Sequence, residues 1–155
     1  MAHPELTVKH IDHARAAKAC ADELCKYGKH VMIMLEAEFS SPDASDLGVS
    51  IVPAQDGLSA QITSPYGAAR ATYSLYLGAN GMYGRYSFDR RYNDHHDRDT
   101  WSEVFFLDIA NDSMITSEYA SENSSRFNAI RPCRNQYFEL ALAVAAALGR
   151  NRSDA

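Results

Sequence analysis

The chain has 155 residues, 46% of them hydrophobic and 23% charged, a composition that suits a soluble globular domain and excludes a disordered tail, a collagen-like fibre or a disulfide-stapled peptide. Folding at this length buries roughly 70% of the unfolded surface, so a core forms without metal or disulfide support. The formal net charge of −5, from 15 Lys and Arg against 20 Asp and Glu, speaks against a DNA-coating protein and against a polybasic membrane binder.

The first thirty residues hold His3, Lys9, His10, Asp12, His13 and Lys18 but no apolar run of signal-peptide length. Three cysteines, Cys20, Cys25 and Cys133, form a poor disulfide framework and predict free thiols in a reducing, cytoplasmic setting. The longest apolar run, Tyr137 to Leu148, is interrupted by Glu139 and falls short of the roughly 20 residues that span a bilayer, so no membrane segment is expected. With no repeat and no linker, residues 1–155 read as a single domain.

Residues 4–27 predict a helix, because Ile11, Ala14, Ala17, Ala21 and Leu24 recur at spacings of three and four, with Pro4 in its first turn and Gly28 as its end. From His30 the pattern alternates: Val31, Ile33, Leu35, Ala37 and Phe39 predict a strand, which the Pro-containing segment 40–43 breaks. Residues 49–53 and 58–63 predict a hairpin about Asp56-Gly57, and Ala71 to Leu77 with Met82 to Phe88 predict a second about Asn80-Gly81. The polar segment Asp89 to Thr100 reads as a connection. It leads to a strand at 103–109 and a weaker one at 114–119, with loop at 121–125. A last helix begins near Pro132 or Asn135 and runs to Leu148, stopped by Gly149, with Arg150 and Arg152 beside the negative end of its dipole. The expected fold class is α+β: an antiparallel meander of about six strands, flanked by an N-terminal and a C-terminal helix that cover one face.

Six of the nine tyrosines, Tyr66, Tyr73, Tyr76, Tyr83, Tyr86 and Tyr92, fall within residues 66–92, with Arg70, Arg85, Arg90 and Arg91 opposed only by Asp89. Strand alternation places Tyr76, Tyr83 and Arg85 opposite Leu75, Met82 and Phe88, hence toward solvent if the apolar side meets the helices. Tyr and Arg are enriched at interface hot spots, so Arg70, Tyr76, Tyr83, Arg85, Arg90, Arg91 and Tyr92 are the candidate partner-binding residues. The competing reading is a hairpin stabilised by its own cross-strand tyrosine pairs. Residues 93–125 carry eight acidic side chains against Arg98 alone. That excess favours a protein partner over single-stranded nucleic acid and would orient a partner of complementary charge.

Other chemistry is less well signalled. His95, His96, Asp97 and Asp99 are of metal-ligating type, and an ion there would activate water for hydrolase or nuclease chemistry, but neighbours on an extended segment point apart. The shell would need Glu36, Glu38 or the His10 and His13 pair, which stand three apart on the first helix without an HExxH pattern. Cys133, flanked by Arg131 and Arg134 near a helix start, is the candidate nucleophile, without a recognised protease or phosphatase signature around it. Gly78, Gly81 and Gly84 match no nucleotide-binding fingerprint. No cofactor is expected. The leading expectation is a small acidic cytoplasmic protein-binding module, an adaptor, regulator or inhibitor of the kind phages and mobile elements encode, with another protein or a second copy of the chain as partner. An enzyme or a single-stranded nucleic-acid binder is the alternative.

Overall fold

Leu24, Val31, Met32, Leu35 and Phe39 are all buried, and only a helix brings residues at those spacings onto one face. Helix α1 accordingly runs unbroken over Val8–Phe39, 32 residues and about 48 Å at 1.5 Å per residue. The strand expected from His30 to Phe39 is the last third of this helix. Alternation misleads there because Met32 and Met34 are as apolar as the residues between them, while Met, Leu, Glu and Ala are strong helix formers. Ile33, which period two puts on one face with Val31 and Leu35, is 60% exposed while those two are buried. The computed structural model describes residues 8–79, 81–93, 96, 98–110, 113–116, 127–128 and 136–150.

Gly28 does not end the helix. It sits buried in mid-helix, where glycine costs about 1 kcal/mol relative to alanine, because a Cβ there would lie 2.9 Å from the ring of Tyr73. The Tyr73 hydroxyl donates to the Leu24 carbonyl at 2.7 Å, and the Tyr86 hydroxyl donates to the Gly28 carbonyl at 2.6 Å. Two sheet tyrosines are thus tied to consecutive turns of α1.

The sheet is an antiparallel meander in sequence order. Among the described residues five strands carry it, rather than about six: β1 (Ser50–Pro53), β2 (Ser59–Ser64), β3 (Gly67–Gly78), β4 (Gly81–Asn93) and β5 (Asp99–Ala110). Two short segments, β6 (Ser113–Thr116) and β7 (Phe127–Asn128), continue the ladder beyond β5. Both expected hairpins are present. In the first, Asp56 Oδ1 accepts the Leu58 amide at 2.9 Å and Gly57 adopts φ 70°; in the second, β3 and β4 pair as far as Gly78 and Gly81. The polar stretch 89–100 is not a connection throughout, because β4 continues to Asn93 and β5 begins at Asp99, with Arg91 opposite Trp101 and Asn93 opposite Asp99. Cross-strand pairing satisfies charges that look like loop composition when read along one strand.

Cross-strand rows such as Ile51–Ile62–Ala69 and Ala60–Ala71–Phe88–Phe105 are buried throughout. They face α1, which lies along β1, β3, β4 and β5, and α2 (Gln136–Leu148), which packs on α1 and β5. The two helices therefore cover one side of the sheet. One guanidinium at the carbonyl end of α2 comes from Arg90 in β4, which donates to the Leu148 oxygen at 3.1 Å and the Arg150 oxygen at 2.9 Å, a favourable pairing with the helix dipole. Arg152 lies outside the described residues.

Tyr137, in the first turn of α2, is 4% exposed, and its hydroxyl has no hydrogen-bond partner among the described residues. Burial pushes its pKa up to about 12. Removing an unsatisfied buried hydroxyl is nearly neutral or favourable, so Tyr137→Phe is expected to leave stability unchanged or raise it by up to about 1 kcal/mol, measured by urea unfolding; a clear loss would show that the hydroxyl is bonded. No helix among the described residues is long and apolar enough to cross a membrane.

Candidate functional site

The face turned away from the helices is ordered by the same register. Its rows run Val52–Gln61–Arg70–Asp89–Glu103, Ser59–Thr72–Ser87–Phe106 and Ser74–Arg85–Asp108, with Tyr76 opposite Tyr83 beyond them. No described element covers this side. Tyr76 and Tyr83 stack at 5.6 Å between ring centroids and 21° between planes. Arg85 grips Asp108 with two hydrogen bonds, Nε to Oδ1 at 2.6 Å and an amino group to Oδ2 at 2.9 Å. That fork fixes the guanidinium plane, which lies 4.0 Å from the Phe106 ring and 5.8 Å from each of Tyr76 and Tyr83. The Asp108 hydrogen bond raises the Arg85 pKa above its ordinary value, so the cation persists at any ordinary pH.

A second cluster lies along the first row. Arg70 Nε donates to Asp89 at 3.3 Å, and its guanidinium stands 4.2 Å from the Trp101 ring. The Ser87 hydroxyl donates to Glu103, and Arg91 approaches Asp99 at 3.9 Å. Arg70, Arg85 and Arg91 are thereby interleaved with Asp89, Asp99, Glu103 and Asp108 on one surface. The charge separation seen along the sequence is thus replaced here by a nearly neutral mosaic. Two candidate residues turn the other way: Arg90 and Tyr92 face the end of α2, where the Tyr92 hydroxyl donates to the Arg150 carbonyl at 3.3 Å and its ring lies 4.6 Å from the Arg90 guanidinium.

An open pocket of about 440 Å³ indents the sheet where the first two rows cross β1, β2 and β3. Val52, Pro53 and Ala54 form its apolar wall, and Gln61, Arg70 and Thr72 supply polar groups. Ser59 and Thr72, both short, complete this part of its lining.

Of the other candidates, His96 and Asp99 are exposed, while His95, Asp97 and Cys133 lie outside the described residues. Glu36 and Glu38 are on α1, not on a strand, and His10 and His13 are exposed near its start. Among the described residues no three His, Cys, Asp or Glu side chains gather to hold a metal ion. Cys20 and Cys25 on α1 are free thiols.

Sequence reasoning missed Phe106, Asp108 and Trp101 as members of the open face, and missed the pocket. The signal for Phe106 and Asp108 was present: if Phe105, Leu107 and Ile109 are core, the intervening residues face outward. Trp101 needed the irregularity in β4–β5 pairing beyond Phe88, where Asp89 faces Glu103 and Val104 is left without a partner. Compared with protein-family models, with curated proteins and with solved structures, the chain has no match.

Proposed function

We propose that this chain is a protein-binding module, acting as an adaptor, regulator or inhibitor, that receives its partner on the open face of the sheet. The observation that carries the reading is the ring cluster of Tyr76, Tyr83 and Phe106 held around the Arg85–Asp108 fork on a side no described element covers. Aromatic groups with few rotors, immobilised before binding, lose little entropy when a partner lands on them, and Tyr and Arg are typical hot-spot residues. A protein partner is favoured over nucleic acid because these guanidiniums are already paired with carboxylates, and four carboxylates on the same face oppose a polyanion.

Tyr76 and Tyr83 are the residues to remove. Arg85→Ala would strand Asp108 and confuse stability with binding, whereas Tyr76 is 45% exposed. In capture from host lysate read by mass spectrometry, the folded Tyr76→Ala/Tyr83→Ala variant is expected to lose a protein that the unaltered chain retains. Affinity for that protein should fall about tenfold or more, the effect of about 1.4 kcal/mol or greater at a hot spot. Identical profiles from the two folded proteins would overturn the reading.

A further inference from the structure

The proposed interaction leaves open what part of a partner the pocket beside the ring cluster would take. At about 440 Å³ it lies within the ordinary range of ligand pockets, roughly 300–1,000 Å³, and its chemistry is divided. On one side stand Val52, Pro53 and Ala54, with Val52 63% exposed; on the other stand Gln61, Arg70 and Thr72. Within the protein, Arg70 uses its Nε on Asp89 and its flat face on Trp101. Its two terminal amino groups have no hydrogen-bond acceptor among the described residues. A guanidinium can serve two carboxylates on different edges of its plane, and the edge formed by the terminal amino groups is the one remote from the Nε–Asp89 contact.

Resting on the reading of the open face as a protein-binding surface, we infer that this pocket anchors a short acidic-aliphatic segment of the partner. A Glu or Asp carboxylate meets the terminal amino groups of Arg70, with Gln61 and Thr72 as further hydrogen-bond donors. An adjacent aliphatic side chain covers Val52 and Pro53. Charge decides the class: one carboxylate on an otherwise neutral segment meets the terminal amino groups of Arg70, which are the guanidinium donors beside the pocket's apolar wall, while a phosphate-rich ligand meets Asp89, Asp99, Glu103 and Asp108 as well. The apolar wall decides the neighbour, since a lone carboxylate would leave Val52 in water.

The test is a titration of the full ¹⁵N-labelled chain with the dipeptides Ac-Leu-Glu-NH2 and Ac-Leu-Gln-NH2, followed by backbone amide shifts. The Glu dipeptide is expected to give saturable shifts at Val52, Gln61, Arg70 and Thr72 and to bind at least tenfold more tightly than its Gln counterpart. Arg70→Gln should remove that difference. Thr72→Val, which keeps the strand and the volume, should weaken the Glu dipeptide several-fold and serves if Arg70→Gln does not fold. Equal response to both dipeptides, shifts confined elsewhere, or undiminished preference in folded Arg70→Gln would overturn the inference. Tighter binding of free isovalerate than of the Glu dipeptide would overturn it too, by assigning the pocket to a small acid. The dipeptide titration does not involve Tyr76 or Tyr83. Dipeptide binding with no partner lost in the tyrosine variant would retain the pocket and defeat the ring cluster, and the reverse pattern would do the opposite.

Discussion

Gly84→Ala is expected to destabilise the protein by about 3 kcal/mol, at the upper end of the cost of overpacking a core, seen as a fall in the urea midpoint at unchanged slope. In most strand interiors the same change is neutral or favourable, because glycine packs nothing and loses the most backbone entropy. Here a Cβ on Gly84 would overlap the hydroxyl end of Tyr73. That ring cannot withdraw cheaply: its hydroxyl is bonded to the Leu24 carbonyl, its edge rests on Gly28, and its centroid is 4.6 Å from that of Tyr86. Combining Gly84→Ala with Tyr73→Leu relieves the overlap, so the double variant should lose distinctly less than the sum of the single losses. Additive losses would show that the slot between β4 and α1 is not where the energy lies.

The second large effect is alkaline. Burial raises the pKa of Tyr73 and Tyr86 far above the ordinary phenol value of 10, and raises that of Tyr137 to about 12. A folded-state pKa above the unfolded one means that the native protein retains protons the unfolded chain gives up. Stability from these groups is therefore fully present below pH 10 and is lost as pH rises through the folded values. The loss approaches about 1.4 kcal/mol per pH unit for each tyrosine that stays protonated, with Tyr86 and Tyr73 contributing most because burial raises their pKa furthest. Between pH 10 and 12 this is enough to unfold a domain of ordinary stability. Urea midpoints across that range, with tyrosinate absorbance to report ionisation, should fall together. Tyr86→Phe should flatten the fall while costing about 1 kcal/mol at neutral pH through its bond to Gly28. A midpoint independent of pH up to 12 would contradict the burial of these phenols.

Much of the candidate face was legible because it depends on properties of single strands. Alternation alone places Tyr76, Tyr83 and Arg85 on one side, and the Asp56-Gly57 and Asn80-Gly81 signals mark both hairpins. The region 30–39 was not legible, because apolar residues at nearly every position satisfy period two and period 3.6 alike; only the packing of Val31, Met32, Leu35 and Phe39 against the sheet chooses between them. Arg90 and Tyr92 were grouped with Arg85 by proximity in the chain, yet an even and an odd position on one strand face opposite layers.

Composition, local periodicity and turn chemistry were sufficient for the α+β class, the antiparallel meander between an N-terminal and a C-terminal helix, and the outward direction of Tyr76 and Tyr83, since each acts within a few residues of chain. The pairing of Arg85 with Asp108, the placing of Arg70 between Gln61 and Asp89, and the pocket on β1, β2 and β3 are matters of register between strands. Register is selected by burial of the whole inner face at once: a slip of one residue would turn every buried side chain to solvent. That energy belongs to the assembled sheet and helices, which is why a chain whose acidic and basic stretches look segregated folds into a surface where they alternate.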